Sequence, residues 1–377
     1  MGRQPSTEVS PGTLAVAIVA PSLSILGGQA VQASRLLRAW AADPEVTAFL
    51  VPVNPAPPDW LRPLARIKYV RTLLTQLMYL PTLPRELRRA DVVHVFSASY
   101  CSFLLAPLPA ALVARLLGRP VLINYRSGEA PDHLRRSPIV RWALRSADCN
   151  VVPSRFLQQV FAEHDIPAQI IPNIVDRQTF RFRLREPLRP RLLSTRNFEA
   201  LYDVECTLRA FALVQRQHPD ATLTLVGGGS REASLRQLAA ELGLRGVTFT
   251  GRVPQDRIWE HYAANDIYVQ TPAIDNMPSS ILEAFASGLP VVSTRAGGVP
   301  AILTDGVQGL LAPVGDAGEV AMRVLKLLED ATLATRLARA GYEATEALTW
   351  QHVRDRWIAV YRALSVAPVL EVRTRPI

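Results

Sequence analysis

The feature that most constrains the fold is a series of short apolar segments separated by helical patterns. In the first half of the chain, a helical pattern at 30–40 follows the first of these segments. The predicted strands there are 14–20, 46–51, 91–96, 121–125 and 149–152. Strands that are apolar throughout and alternate with helices predict a parallel sheet covered by helices on both faces.

The same pattern begins again in the second half. The predicted strands there are 191–195, 221–226, 247–250, 267–270 and 290–293, and the predicted helices are 204–217, 232–242 and 279–287. Two independent series predict an α/β protein with two Rossmann-like, doubly wound domains. The predicted divisions are a loose tail at 1–12, an N-terminal domain at 13–173, a C-terminal domain at 174–348, a helix at 349–365 and a tail at 366–377.

The helix at 349–365 has one apolar stripe that contains Trp350, Trp357 and Tyr361. Such a stripe is typical of a helix that packs on its own domain. Because the helix follows both domains, an alternative is a crossover helix that braces the two together.

Composition agrees with two folded domains. The chain has 377 residues, of which 49% are hydrophobic and 20% are charged, and this excludes disorder as the main state. Its three cysteines, Cys101, Cys149 and Cys206, lie far apart and predict neither a disulfide framework nor a metal site, so we expect a cytoplasmic protein. No secretory leader is expected, and Pro107 and Arg115 interrupt the most apolar run.

The richest chemical signal lies in residues 271–300. A predicted strand ends in a loop that carries Asp275, and a helix then begins near Pro278 or Ser279. Free backbone N–H groups at that helix start, with the hydroxyls of Ser279 and Ser280, would suit an anion such as a diphosphate. Glu283, one turn later, could accept hydrogen bonds from two adjacent hydroxyls, as on a ribose.

Taken singly, each of these residues has a structural explanation, since serine commonly caps a helix and glutamate commonly lies on a solvated face. Their order is harder to explain by packing. An acid at 275 and an acid at 283 are followed by Ala-x-Ala-x-Gly-x-Pro-Val-Val and, four residues later, by Gly-Gly.

This segment closely resembles the nucleotide-binding signature of the retaining GT-B glycosyltransferases of family 4. The resemblance extends over nearly the whole chain. Further matching pieces are Gly27-Gly28, the sequence Val-Pro-Ser at 152–154, the linker at 171–176, Arg196, the glycine turn at 227–229 and Gly251-Arg252-Val253. Any one glycine-rich turn alone would be a weak signal.

The resemblance implies two domains that face each other across a cleft, which holds a nucleotide-diphospho-sugar. Asp275 matches the acidic residue that faces the donor sugar, and Glu283 matches the acidic residue that holds the ribose. Arg196 matches the basic residue that stabilises the leaving phosphate. The implied donor-binding residues are Gly27, Gly28, Gly228, Arg252, Val253, Asn276, Met277, Pro278, Ser279, Ser280 and Glu283. Fixed hydrogen-bond donors and a guanidinium directed at the negative charge left on the diphosphate would be the main contribution to catalysis. We expect no metal, no further cofactor and no protein nucleophile.

The chain departs from the family pattern in two places. Asp275 stands where glutamate is usual, and Leu201 or Tyr202 falls where the family often has a lysine. Arg295 is one candidate to replace that lysine, although a surface role is the better interpretation.

In the N-terminal domain, Arg126 occupies or neighbours the position of a family histidine. We predict that Arg126, Glu129 and His133 line the sugar or acceptor side of the cleft. For Glu129 and His133 ordinary loop polarity is an equal alternative. His94, inside an apolar strand, is interpreted as a core residue.

Positive charge is concentrated in the front half. The chain has a net charge of +9, and residues 1–173 hold 18 basic against 11 acidic residues, a net of +7. Residues 62–89 combine basic side chains with leucines at helical spacing; the basic ones are Arg62, Arg66, Lys68, Arg71, Arg85, Arg88 and Arg89. Such a helix can lie on the anionic inner face of a membrane as a peripheral anchor, or it can pack its apolar face in the core, which is the commoner arrangement.

The sequence therefore predicts a metal-independent, retaining hexosyltransferase that acts on a glycan, lipid-linked or small-molecule acceptor. The two departures leave a non-catalytic nucleotide-sugar-binding protein as the alternative. A nicotinamide dehydrogenase is disfavoured because the first turn offers only Gly27-Gly28. A Schiff-base phosphorylase is excluded because only Lys68 and Lys326 are lysines, and no motif for nucleic acid is present.

Overall fold

A computed structural model of the chain describes residues 13–22, 27–61, 63, 67–97 and 99–366. The predicted tail at 1–12 and most of the tail at 366–377 lie outside the described residues. So do Arg62 and Arg66 of the predicted basic helix, together with the side chain of Lys68.

The chain divides into two compact units. The first contains the residues up to Val152, the segment Val160–Ile171 and the residues from Arg354 onward. The second contains Pro153–Gln159 and Pro172–Val353. Each unit is therefore assembled from more than one stretch of the chain.

The first unit is built on a six-stranded parallel sheet in the order β2-β1-β3-β4-β5-β6. Its strands are β1 (Leu14–Ala20), β2 (Val46–Pro52), β3 (Val92–Ser97), β4 (Val121–Tyr125), β5 (Cys149–Val152) and β6 (Gln169–Ile170). The helices that accompany them are α1 (Gly28–Trp40), α2 (Lys68–Leu87), α3 (Cys101–Leu105), α4 (Pro107–Leu116), α5 (Ala130–Arg136) and α6 (Pro138–Ser146). Helix α7 (Arg155–Ala162) begins in the second unit and belongs to the first unit from Val160 onward.

The second unit has a parallel sheet of the same size, in the order β12-β11-β10-β7-β8-β9. Its strands are β7 (Arg191–Ser194), β8 (Thr222–Val226), β9 (Val247–Gly251), β10 (Ile267–Val269), β11 (Val291–Thr294) and β12 (Leu310–Ala312). Its helices are α8 (Val204–Gln217), α9 (Glu232–Glu241), α10 (Ile258–Ala264), α11 (Ser279–Ala286), α12 (Ala317–Glu329) and α13 (Ala331–Ala344).

The predicted fold class, α/β with two Rossmann-like doubly wound sheets, is confirmed. Every predicted strand is present, and its ends differ from the prediction by at most one residue. Strands β6 and β12 and helices α3 to α7, α10, α12 and α13 were not predicted. The apolar run after Tyr100 forms α3 and α4, with Pro107 in the first turn of α4, where proline is tolerated.

The last helix, α14 (Trp350–Val366), begins within the second unit and belongs to the first unit from Arg354 onward. In the first unit, Trp357 and Tyr361 pack on the sheet beside His94. Arg354 donates to the carboxylates of Asp43 and Glu45 at 2.5 and 2.8 Å. The helix is thus fixed to the first unit by both aromatic packing and ion pairs.

Candidate functional site

In the second unit, the predicted catalytic residues follow two neighbouring strands. Arg196 comes directly after β7 and Asp275 lies in the loop after β10, and β7 and β10 are paired in the sheet. The chain runs outward from β7 to β8 on one side, whereas β10 lies on the other side. Ligands of doubly wound sheets bind at the carboxyl ends of the strands at such a switch point.

Arg196 is held by three neighbours. Its Nη2 donates to Oδ2 of Asp275 at 2.6 Å, its Nη1 donates to the Ser280 hydroxyl at 3.2 Å, and its guanidinium carbon lies 4.0 Å from the centre of the Tyr202 ring. Burial is the largest influence on the pKa of Arg196 and acts to lower it. Asp275 and the nearby tyrosines outweigh burial, so the pKa is raised and the side chain stays charged.

One donor of this guanidinium remains available. Nε of Arg196 is buried and has no hydrogen-bond partner among the described residues. A buried N–H without an acceptor is costly, and an anionic oxygen would satisfy it. The ring of Tyr202 occupies the face of Arg196 close to where the family lysine was expected.

Glu283 lies inside the second unit, with 4% of its surface exposed. Its Oε2 accepts a hydrogen bond from the hydroxyl of Tyr262 at 2.7 Å. Burial, followed by the charge of Glu283, raises the pKa of Tyr262 well above its ordinary value, so this phenol remains a proton donor. Tyr262 was not predicted, because nothing in the sequence of α10 marks it as a partner of Glu283.

Two glycine turns allow the loops of this site to approach closely. A Cβ atom on Gly227 would lie 2.1 Å from the carbonyl oxygen of Arg196, and one on Gly297 would lie 2.2 Å from the carbonyl oxygen of Asp275. Gly298 meets the carbonyl oxygen of Asn276 in the same way, at 2.4 Å. These glycines are therefore required by the packing that positions Arg196 and Asp275.

The loop before α11 is anchored within the second unit. The hydroxyl of Ser154 donates to Oδ1 of Asn276, and the side chain of Asn173 donates to the backbone carbonyl of Met277 at 2.7 Å. Pro278 directly precedes α11, which begins at Ser279 as predicted. Asn276 and Met277 thus serve at least to hold this loop in place.

The remaining predicted donor residues of the second unit surround the turn after β8. A Cβ atom on Gly228 would lie 3.3 Å from Cγ of Arg252, so the turn and this arginine are in contact. The Arg252 side chain is exposed and Val253 packs partly on the core. Arg295 pairs with Asp305 at 2.6 Å and is half exposed, as a surface arginine would be.

In the first unit, Gly27 and Gly28 stand at the start of α1, which follows β1. Gly27 is extended, with φ −168°, and a Cβ atom on either glycine would meet no atom within 4 Å. Neither backbone strain nor close packing within the described residues therefore requires a glycine at these two positions. The open space agrees with a backbone that is kept clear for a ligand.

Arg126 follows β4, at the same sheet edge as the start of α1. Its Nη1 donates to Oδ1 of Asn124 at 3.1 Å, and its guanidinium lies 5.3 Å from the centre of the Phe96 ring. Its Nη2 is buried and has no hydrogen-bond partner among the described residues. Burial lowers the pKa of Arg126 to about 9.

His133 and Glu129 differ in their surroundings. His133 is 1% exposed; its Nε2 accepts from the backbone of Tyr100 at 2.9 Å, and its Nδ1 lies 2.8 Å from the Tyr125 hydroxyl. Both ring nitrogens are therefore engaged inside the unit, which favours a structural role for His133 over contact with a substrate. Glu129 is partly exposed on the loop after β4, next to the Ser127 hydroxyl.

His94 is a core residue, as predicted. It is fully buried; its Nε2 lies 3.0 Å from the side-chain nitrogen of Asn124, and its Nδ1 lies 2.7 Å from the hydroxyl of Tyr361. Because Oδ1 of Asn124 accepts from Arg126, the amide nitrogen must donate to His94. A continuous polar chain thus runs from α14 through His94 and Asn124 to Arg126.

Among the described residues, no helix is both long and apolar enough to cross a bilayer. Within the same ranges, no group of three or more His, Cys, Asp or Glu side chains is arranged to hold a metal ion.

Comparison with known families gives two adjoining matches. Residues 26–179 match the model "Glycosyltransferase Family 4", and residues 176–344 match the model "Glycosyl transferases group 1".

Among curated proteins, the chain is 27% identical over 310 residues to the sulfoquinovosyl transferase SQD2 of Arabidopsis thaliana, covering 75% of this chain and 59% of that protein. It is 28% identical over 229 residues to a GDP-mannose-dependent phosphatidylinositol monomannoside mannosyltransferase of Mycolicibacterium smegmatis, covering 54% and 60%. The matches thus span about three fifths of the length of these two relatives or less.

Solved structures agree in fold. The sucrose-phosphate synthase of Thermosynechococcus elongatus superposes with a TM-score of 0.75 at 21% identity, covering 93% of this chain and 99% of that one. HepE of Anabaena, crystallised with UDP-glucose, superposes with a TM-score of 0.72 at 19% identity, covering 93% and 100%.

Proposed function

The chain belongs to the group 1 glycosyltransferases, and on this premise we propose that it transfers a sugar from a nucleotide-diphospho-sugar with retention of configuration. The observation that carries the proposal is the meeting of Arg196, Asp275 and Ser280 at the switch point of the second sheet. HepE, which shares the fold, is described in complexes with UDP and UDP-glucose. The proposed donor is therefore a nucleotide-sugar of this kind.

The proposed chemistry is stabilisation of the departing diphosphate. Cleavage of the glycosyl–phosphate bond leaves negative charge on the phosphate oxygens, and charge that develops there is best met by fixed donors. Arg196 supplies a permanent positive charge and an Nε–H that has no partner in the described part of the chain. Asp275 would face the sugar while it holds Arg196 in place, and Glu283 would accept hydrogen bonds from the ribose. No metal ion takes part in this scheme.

The proposed acceptor is a glycan or a lipid-linked molecule reached at the anionic inner face of a membrane. Tyr69, Leu73, Leu77 and Leu80 form one face of α2, and their exposed fractions are 80, 61, 62 and 43%. The arginines at 85, 88 and 89, near the end of the same helix, are also exposed. Exposed apolar side chains beside arginines suit an anionic lipid surface, and one relative is named for a phosphatidylinositol acceptor.

Donor binding is tested by thermal unfolding of the full chain with UDP, GDP, ADP and their common sugar conjugates. A ligand that binds only the folded state adds about 2.7 kcal/mol of stability at a hundredfold excess over its Kd. We expect one nucleotide series to raise the midpoint of the native protein. Glu283→Ala should lose that shift, measured from its own unliganded midpoint, whereas Glu260→Ala on the surface of α10 should keep it.

Catalysis is tested separately from binding. With the stabilising donor and EDTA present, we expect sugar release or transfer that falls about a hundredfold or more in Arg196→Ala and in Asp275→Ala. Binding without turnover in the native protein would favour the non-catalytic nucleotide-sugar-binding protein instead. Failure of every nucleotide to stabilise the native protein at millimolar concentration would contradict both.

A further inference from the structure

We propose that Arg126 is the recognition site for an anionic group, a carboxylate, sulfonate or phosphate, on the substrate that meets the first unit. The inference rests on the proposed function, since it concerns the class of sugar or acceptor that this glycosyltransferase uses. It goes beyond that function because it predicts a negatively charged group other than the diphosphate.

Arg126 lacks a counter-charge within the described part of the chain. No carboxylate there forms an ion pair with it, although Glu129 and Asp132 follow it closely in the sequence. Its single side-chain hydrogen bond within the described ranges goes to the neutral amide of Asn124. Arg126 is partly buried, and a cation withdrawn from water is normally paired, so the missing counter-charge favours an anionic partner on the substrate.

Nη2 of Arg126 is buried and without a hydrogen-bond partner among the described residues. A guanidinium presents its N–H groups as a planar fork that matches a carboxylate, sulfonate or phosphate. An anion that reached Nη2 would satisfy both the orphan donor and the unbalanced charge.

The position of Arg126 in the first sheet also favours contact with a ligand. The first sheet changes direction at β1, with β2 on one side and β3 on the other, and β4 lies next to β3. Gly27 and Gly28 follow β1, and the side chain of Gln29 donates to the carbonyl of Ser97 at the end of β3 at 3.0 Å. Arg126 follows β4, so it belongs to the carboxyl edge where doubly wound sheets bind their ligands.

Hydrogen bonds through Asn124 and His94 fix the orientation of the Arg126 side chain. Oδ1 of Asn124 accepts from Arg126, and the amide nitrogen of Asn124 donates to His94, whose other nitrogen lies against the Tyr361 hydroxyl. The amide of Asn124 therefore cannot turn over without losing both hydrogen bonds. Burial lowers the pKa of Arg126 to about 9, which leaves the side chain charged at neutral pH. His94 and Asn124 are positioning residues for this charge.

The donor arm of the test compares two ligands that differ by one anionic group, UDP-glucose and UDP-glucuronate, by calorimetry on the full chain. If the anion belongs to the donor sugar, UDP-glucuronate should bind at least about tenfold more tightly, and Arg126→Gln should abolish the difference while UDP affinity stays unchanged. Arg38→Gln, which removes an exposed arginine of the same unit, should keep the difference.

The acceptor arm uses protein saturated with UDP and titrated with sulfate or phosphate at constant ionic strength. If the anion belongs to the acceptor, saturable binding should appear in the native protein and in Arg38→Gln, and it should be lost in Arg126→Gln. Arg126→Lys should weaken binding in either arm, because the charge is kept and the planar fork is lost.

If Arg126 had a structural role, its replacement would lower the thermal midpoint. Under the proposal, removal of this unpaired, partly buried charge should instead leave the midpoint of Arg126→Met equal to or above that of the native protein. The proposal is overturned if Arg126→Met unfolds at a clearly lower temperature and neither arm depends on Arg126. Intact UDP binding in that case would leave the proposed glycosyltransferase function standing.

Discussion

The two partly buried arginines that follow sheet strands differ in how their charge is balanced. Arg196 in the second unit has the carboxylate of Asp275 at 2.6 Å, whereas the one side-chain hydrogen bond of Arg126 among the described residues goes to the amide of Asn124. Asp275 is therefore both a candidate sugar contact and the group that keeps Arg196 charged and oriented. Its shorter side chain, compared with the usual glutamate, suits this second role because the carboxylate already reaches Nη2 of Arg196.

His94 makes the stability of the first unit sensitive to acid. Burial, and then the charge of Arg126, lowers the pKa of His94 to about 3, while a histidine in the unfolded chain titrates near 6.5. Between these two values the unfolded chain binds a proton that the folded chain does not, so stability is lost as the pH falls below about 6.5. The expected loss is about 2 kcal/mol at pH 5.

Thermal midpoints measured from pH 7.5 to pH 5 test this expectation. The midpoint of His94→Gln should fall less steeply over that range than the midpoint of the native protein. His352→Gln, which changes a half-exposed histidine, should keep the native slope. Identical slopes for His94→Gln and the native protein would show that His94 does not govern the response.

At the scale of one element, the start of α1 offers a test of the donor site that does not disturb the fold. Gly28 is the first residue of α1, and a Cβ atom there would meet nothing within 4 Å. Gly28→Ala should therefore leave the unliganded midpoint unchanged or raise it slightly, since alanine favours a helix by up to about 1 kcal/mol. If Gly28 binds the donor diphosphate as predicted, affinity for the donor should fall about tenfold, because the methyl group would take the place of the phosphate.

Gly318→Ala is the matched control for this substitution. Gly318 lies in the first turn of α12, where a Cβ atom would make only ordinary contact with Asp316. Its midpoint should change as little as that of Gly28→Ala, and its donor affinity should stay native. Unchanged affinity in Gly28→Ala would remove Gly28 from the donor site.

Elements were predictable where one local pattern was sufficient. The strands of both sheets are short apolar runs, and Asp203 caps α8 through the backbone N–H of Cys206, so their bounds are nearly those predicted. Strand β6 has only two residues, too few for an apolar run to stand out. Strand β12 has three residues, as β10 does, but it was not predicted. Helices α12 and α13 were missed although each has an aspartate that caps its first turn.

Motif order predicted a set of candidate site residues, but it did not predict the contacts between them. Motif order indicated Arg196, Asp275 and Glu283, because each resembles a family position. The hydrogen bond from Tyr262 to Glu283 joins two helices and has no signature at short range. The polar chain behind Arg126 was equally hidden, since Tyr361 lies 267 residues from His94. Contacts of this kind depend on strand order, which one sequence does not specify.

At the scale of the whole molecule, charge is distributed unevenly along the chain. Residues 1–173 carry a net charge of +7 out of +9. The same part of the chain contains α2, which buries Tyr79, Leu83 and Leu87 but exposes Leu73 and Leu77. The second half of α2 fits the interpretation in which the helix packs its apolar face in the core. The exposed leucines of the first half are left for the other interpretation, in which the helix lies on a membrane.

Binding to vesicles tests whether these two features act together. We expect the full chain to sediment with vesicles that contain phosphatidylserine and not with neutral phosphatidylcholine vesicles. Each basic residue near an anionic surface contributes about 1 kcal/mol, so charge reversal of Arg85, Arg88 and Arg89 to Glu should lower the partition coefficient about a hundredfold or more. Raising the salt from 0.1 M to 1 M shortens the screening length from about 10 Å to about 3 Å and should release the native protein.

The apolar contribution is separated from the charge by a second pair of variants. Leu73→Ser with Leu77→Ser should weaken sedimentation without changing its salt dependence, because the arginines remain. Leu116→Ser removes a leucine of the same unit that is 86% exposed and lies on α4, so it should bind vesicles as the native protein does. If all variants sediment equally, or if the native protein does not sediment at low salt, the membrane proposal is wrong.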